Sequence, residues 1–224
     1  MRTERTEAMD NQQEETARSS YNRMSKVYAL MSDSSEKRFI SEAIEDLLKP
    51  QPGEVVLEPG FGTGQALAAL AELVGAEGRV YGIDISDGMV EQTRKRLEKH
   101  ALLDRADISR GDATCMPYAD SMFDAVFMSF TLELFSDDQI PVVLAEARRV
   151  LKPDGRLCVA CMSSQGGQPT MEKLYEWSHR KWPTFVDCRP IDAAPSLADA
   201  GFTIEQTRKL SMWGLAVDIL LARA

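Results

Sequence analysis

Five short apolar runs separated by amphipathic stretches occupy residues 54–162, and this alternation leaves few folds open to the chain. The runs are Val55-Val56-Leu57, RVYGIDIS, ADISRGD, MFDAVFMSF and RLCVACM. Between them, QALAALAELVG sets Leu67, Leu70, Ala71 and Val74 on one helical face. MVEQTRKRLEKH, capped by Ser86, does the same with Val90, Thr93 and Leu97. SDDQIPVVLAEARRVL reads as a helix opened by the capping pair Ser136 and Gln139. Strands that are apolar throughout, rather than alternating, imply a parallel sheet covered on both faces. The expected architecture is therefore a doubly wound, mostly parallel α/β fold.

The flanks read differently. Residues 1–18 are charged and poor in apolar groups, so they cannot offset their own ordering entropy and are expected to form a mobile arm. Residues 19–50 carry two helical patterns, the second ending before Pro50, and are expected to form an N-terminal helical lid. After Met162 come a polar loop, the helical stretch MEKLYEWSHRKW and a connection through Pro183 and Pro190. Two closing strands follow, FTIEQTRKLS and GLAVDILLARA, joined by a short turn at Met212 and Trp213 that predicts an antiparallel hairpin. At 224 residues the chain from residue 19 onward suits one domain, with 163–224 as its acceptor-side part.

Charge and cysteine usage narrow the function. With 35 acidic and 26 basic residues the net charge is −9, which opposes general binding to nucleic acid. No apolar stretch reaches the roughly 20 residues that span a bilayer, and the polar N-terminal stretch has no apolar signal core, so a cytoplasmic location is expected. The 4 cysteines form no disulfide framework. Cys158 and Cys161 lie on one strand at an odd offset, which turns them to opposite faces and argues against a metal or redox pair.

In an open α/β sheet the ligand crevice lies beyond the carboxyl ends of the strands, where strand order reverses. The first strand-to-helix turn there is Glu58-Pro59-Gly60-Phe61-Gly62-Thr63-Gly64. Glycines at alternate positions let backbone approach a ligand closely, and the helix behind offers unpaired N–H groups. A nucleotide-like guest follows. The dinucleotide spacing fails, since its last small position falls on Gln65 or Leu67, and no Gly-Lys-Ser/Thr follows to make a P-loop. Asp84 ends the second strand, where a carboxylate can accept ribose hydroxyl protons, and Asp112 follows the third, where it can accept from an adenine amino group.

LEPGFGTG, GIDIS, GDATCMPYADSMFDAVF and RVLKPDGRL, in this order, resemble the motifs of the class I S-adenosylmethionine-dependent methyltransferases over about residues 54–162. The resemblance implies a Rossmann-like methyltransferase fold with S-adenosyl-L-methionine as cofactor. It implies that Gly60, Gly62 and Gly64 shape the loop around the methionyl part and ribose, with Phe61, Thr63 and Met89 alongside, and that Glu58 orders the amino group. It further implies that Asp84 holds the ribose hydroxyls, Ile85 packs on adenine, Asp112 and Ala113 address the adenine edge, and Met128 lies near the methionyl part. The N-terminal YNRMSKVYALMSDSSEKRF is similar to the segment preceding the core in the ubiquinone and menaquinone biosynthesis C-methyltransferases. There it folds over the cofactor, so Tyr21 and Tyr28 are expected to close the pocket.

The implied partner is a small-molecule acceptor, with transient contact at a membrane surface if that acceptor is lipophilic. The chain lacks the longer acceptor-side insertion of the quinone enzymes. A quinone precursor, a phospholipid amine, a thiol and a phenol therefore all stay open, as do the atom methylated and the oligomeric state. Tyr175, Trp177, Trp182 and Trp213 form the expected acceptor wall, and His179 is the candidate general base. Two other functions remain open at this point, a nicotinamide-dependent oxidoreductase and a noncatalytic cofactor-binding subunit. Asp124 and the Lys152-Pro153-Asp154-Gly155 turn are read as structural.

Overall fold

In the computed structural model, residues 38–166, 189–212 and 214–224 are described. The chain divides into Met1–Arg38 and Phe39–Ala224, and the elements below belong to the second unit. The expected arm, Tyr21, Tyr28, the expected helix with Tyr175, Trp177, His179 and Trp182, and Trp213 all lie outside the described residues.

The elements run α1 (Glu42–Leu48), β1 (Val55–Pro59), α2 (Gln65–Leu73), β2 (Arg79–Asp84), α3 (Asp87–Lys99), β3 (Ala106–Arg110), β4 (Phe123–Ser129), α4 (Ile140–Val150), β5 (Leu151–Met162), α5 (Ala193–Asp199), β6 (Thr203–Met212) and β7 (Leu215–Arg223). They form one sheet of 7 strands in the order β3-β2-β1-β4-β5-β7-β6. The first five strands pair in parallel, and β7 runs antiparallel to both β5 and β6. This is the expected doubly wound fold with a closing hairpin, which turns at Gly214 with φ 87°.

Strand alternation splits the core in two. Val56, Phe127, Cys158 and Ala160 pack toward α1, α2 and α3 with Ile44, Leu67, Leu70 and Leu97. Leu57, Val126, Met128, Leu157, Val159 and Cys161 pack toward α4 and α5 with Leu144 and Leu197. Cys158 and Cys161 thus lie on opposite faces, as their spacing predicts. Outermost, β6 blunts the sheet edge with Glu205, Arg208 and Lys209.

Four details differ from the sequence reading or refine it. Helix α1 is π-wound, and the Lys49 N–H closes it on Ile44 O at 2.7 Å with Lys49 at φ 49°. Strand β5 begins at Leu151, not Arg156: Phe123 pairs with Leu151 and Ala125 with Arg156, so Pro153-Asp154-Gly155 bulges out, with Asp154 at φ 63°. Helix α5 stands where only a connection was expected, because 7 residues around Pro195 present no readable period. Of the capping box, only half forms: Gln139 accepts the Ser136 N–H at 3.3 Å, while the Ser136 hydroxyl turns to the same oxygen at 2.9 Å.

Two ion pairs fix the amino ends of the strands. Asp124 accepts the Val55 N–H at 2.9 Å and Lys152 Nζ at 2.7 Å. Arg156 forks onto Glu54 at 2.9 and 2.6 Å and donates to Leu48 O at 2.7 Å and Lys49 O at 3.2 Å, tying the end of α1 to the sheet.

Candidate functional site

Strand order reverses between β1 and β4, and the glycine turn leaves β1 at that point. Its three glycines take positive φ, 69° at Gly60, 51° at Gly62 and 73° at Gly64. The turn closes through Gly60 N–H to Ile83 O at 2.7 Å and Gly64 N–H to Phe61 O at 2.8 Å. A Cβ on Gly62 would meet nothing within 4 Å, whereas one on Gly60 or Gly64 would strike a neighbouring side chain. Only the middle glycine faces open space.

Three carboxylates stand at the adjoining strand ends. Asp84, at the tip of β2, accepts the Gly62 N–H through Oδ2 and the Ser86 N–H through Oδ1, each at 2.9 Å. Each oxygen keeps one lone pair for a ligand hydroxyl. Asp112 takes the Thr114 N–H and hydroxyl, both at 2.8 Å, on Oδ1. These bonds hold its carboxyl below the ordinary carboxylate range. Glu58 is only 2% exposed, and its Oε2 has no hydrogen-bond partner. Burial first, and then the Asp84 charge, push its carboxyl well above the usual range. An orphaned carboxyl beside a second acid is a place for a cationic group.

Other predicted residues fall where their neighbours put them. Ile85 stands 68% exposed beyond β2, free to cover a flat ring. Thr63 is half-buried, and so is Met89, which packs on the α3 side. Three of the expected residues turn their side chains into the core. Phe61 is buried, because Gly82 lacks the side chain that its ring would otherwise strike, a Cβ there lying 2.6 Å from Phe61 Cδ1. Met128 is fully buried on the α4 side, since the strand period puts it with Val126. Ala113 likewise buries its methyl in that core.

The sequence reading missed the buried threonines beneath the loop. Thr93 Oγ1 donates to Gly62 O at 2.9 Å, and Thr131 Oγ1 to Gly60 O at 3.1 Å. Thr93 was seen only as part of the helix face, and Thr131 carried no signal at all. Beyond β5, Ser163 pairs with Ile191, so both ends of the chain between them lie at the carboxyl end of that strand. Ser163 Oγ donates to Asp218 Oδ2 at 2.7 Å, and the Met162 N–H to Glu133 Oε1 at 3.0 Å. Among the described residues no group of His, Cys, Asp and Glu is suited to a metal ion, and no helix is long and apolar enough to cross a membrane.

The family profile of a methyltransferase domain matches residues 56–155. The chain is 35% identical over 140 residues to a demethylmenaquinone methyltransferase of Lactobacillus johnsonii, covering 62% of this chain and 56% of that protein. It is 36% identical over 126 residues to a ubiquinone/menaquinone biosynthesis C-methyltransferase of Teredinibacter turnerae, covering 56% and 49%. The chain thus spans about half the length of these curated relatives. A SAM-dependent methyltransferase from Aquifex aeolicus superposes with a TM-score of 0.59 at 26% identity, over 77% of this chain and 83% of that one.

Proposed function

From a chain whose residues 56–155 form a methyltransferase domain of the class I, S-adenosylmethionine-dependent kind, we propose an enzyme that methylates a small, lipophilic acceptor of the quinone-precursor type. The observation that carries the cofactor half is the open space at Gly62, with Asp84 on its N–H and the unpartnered Glu58 carboxyl within reach of the Asp84 charge, while Asp112 follows Gly111, whose N–H bonds Asp84 O at 3.0 Å. The residues present fit the cofactor: Glu58 would receive its ammonium, Asp84 the ribose hydroxyls and Asp112 the adenine amino group. When bound, the cofactor supplies a methyl group already activated on a sulfonium. The protein then has to align the acceptor and keep water out. Asp84 contributes by holding the Gly62 N–H, which orients the loop before any ligand arrives.

The acceptor half rests on the quinone methyltransferase relatives, together with the aromatic residues Tyr175, Trp177 and Trp182 and with His179 as the base that ionises a ring hydroxyl. A small partner is consistent with the chain's charge, which disfavours nucleic acid.

Thermal shift with S-adenosylmethionine and with NAD(H) tests the cofactor. Stabilisation by the first alone is expected, and stabilisation by NAD(H) alone would overturn the reading. Incubating the protein and methyl-labelled cofactor with a cell extract, then finding the compound that gains label by mass spectrometry, tests the acceptor. A labelled quinone precursor is expected, and label in a phospholipid amine or thiol would replace it.

A further inference from the structure

The outer glycines of the loop are not open to a ligand. A Cβ on Gly64 would lie 2.4 Å from Thr93 Cγ2 and 2.6 Å from its Oγ1, and one on Gly60 would lie 2.2 Å from Thr131 Cγ2 and 2.8 Å from its Oγ1. Neither approach is tolerated by real side chains, so these glycines make room for threonines from beneath. The threonines come from α3 and from the turn after β4, 31 and 71 residues from their hydrogen-bond partners, and are 0% and 4% exposed.

The hydroxyls then fix the peptides they reach. Gly62 is held at both ends, its N–H by Asp84 and its carbonyl by Thr93. Thr131 shares its proton between Gly60 O at 3.1 Å and Ser129 O at 3.0 Å. It reaches that position because Phe130 adopts φ 50°, a conformation costly for an aromatic residue. Phe130 is kept there by its N–H bond to Ala160 O at 2.8 Å and by an edge contact with Phe39 at 6.2 Å.

We infer that Thr93 and Thr131 are positioning residues that hold the cofactor loop in its binding shape before the cofactor arrives, leaving Gly62 as the glycine that serves the ligand. The inference rests on the reading of this loop as the cofactor seat. Preorganisation of this kind appears in affinity, because the ordering cost is met during folding rather than on binding.

The test is calorimetric titration of full-length wild type, Thr93→Val, Thr93→Ser and Thr131→Val with S-adenosylmethionine and S-adenosylhomocysteine, well below each melting point. Thr93→Val keeps the shape and loses the donor, and should weaken both ligands about tenfold. Thr93→Ser keeps the donor and should stay within about threefold of wild type. Thr131→Val should weaken binding by a smaller factor, about three- to fivefold, because its proton is shared.

Valine variants that melt lower yet bind as wild type would make the threonines merely structural and overturn the inference. If Thr93→Val fails to fold, Thr131→Val decides on the same criterion. A wild-type protein that binds neither ligand removes the cofactor reading, and the inference with it. Binding by wild type with no change in the variants overturns the inference alone.

Discussion

Burial, with the Asp84 charge adding to it, raises the Glu58 carboxyl well above the ordinary range. In the unfolded chain this group ionises at about pH 4.3. Below that value both states hold the proton and burial carries no charge penalty. As pH rises further the unfolded chain releases its proton first, so stability falls until the folded group also ionises. Glu58→Gln removes that loss. The ligand-free variant should melt higher than wild type at pH 7.5 and equally at pH 4, by about 2–4 °C for each kcal/mol recovered in a domain of this size. It should bind S-adenosylmethionine more weakly, since a neutral amide replaces a carboxylate facing the ammonium. Melting and titration at both pH values check this, and a variant no more stable at pH 7.5 refutes it. Asp84→Ala should weaken the cofactor at least about tenfold, on the order of 1.4 kcal/mol. It removes the proposed acceptor of the ribose protons and also releases the Gly62 and Ser86 N–H groups. Unchanged affinity in a calorimetric titration would contradict it.

At the scale of elements, the Arg156 fork joins β5 to Glu54 ahead of β1 and to the last carbonyls of α1. Its side chain and that of Glu54 are 16% and 18% exposed, so removing one partner strands the other charge away from most of the solvent. Arg156→Met should cost about 2–3 kcal/mol in urea unfolding with little change in slope, because the same surface is exposed on unfolding. No local pattern announces this pair across 102 residues. The same limit explains what was legible. Strands β1 to β4 were readable because each is a short apolar run, and helices α2 to α4 because each carries local helix signals, an apolar face or a capping pair. The glycine turn, Glu58, Asp84 and Asp112 were readable because a strand end in this fold has one place to be. Which way Met128, Ala113 and Phe61 point depends on what lies across from them. In Phe61's case that is the missing side chain of Gly82, 21 positions away. Thr93 and Thr131 were invisible as loop supports for the same reason, and α5 was too short to show a period.

For the molecule as a whole, the glycine loop and the ends of the chain between Ser163 and Ile191 depend on different parts of the sheet. The loop is held by β1, β2, α3 and the turn after β4. The chain proposed to meet the acceptor leaves after β5 and returns beside it, with the Ser164 N–H on Ile191 O at 3.0 Å and the Ile191 N–H on Met162 O at 2.9 Å. Ser163 and Asp218 brace the departure, and Gln165 reaches Asp192 across the gap. Because these ends lie side by side, replacing residues 167–188 by a Gly-Ser linker of about six residues, reaching up to about 20 Å, should leave the sheet closed. The shortened protein should keep a single cooperative melting transition and bind S-adenosylmethionine within about threefold of wild type. It should lose methyl transfer to its acceptor, because Tyr175, Trp177, His179 and Trp182 go with the deleted residues. Melting, titration and a labelled-methyl assay read the three outcomes separately. Transfer that survives the deletion would move the acceptor site elsewhere on the carboxyl edge, and lost cofactor binding would give the deleted stretch to the cofactor instead.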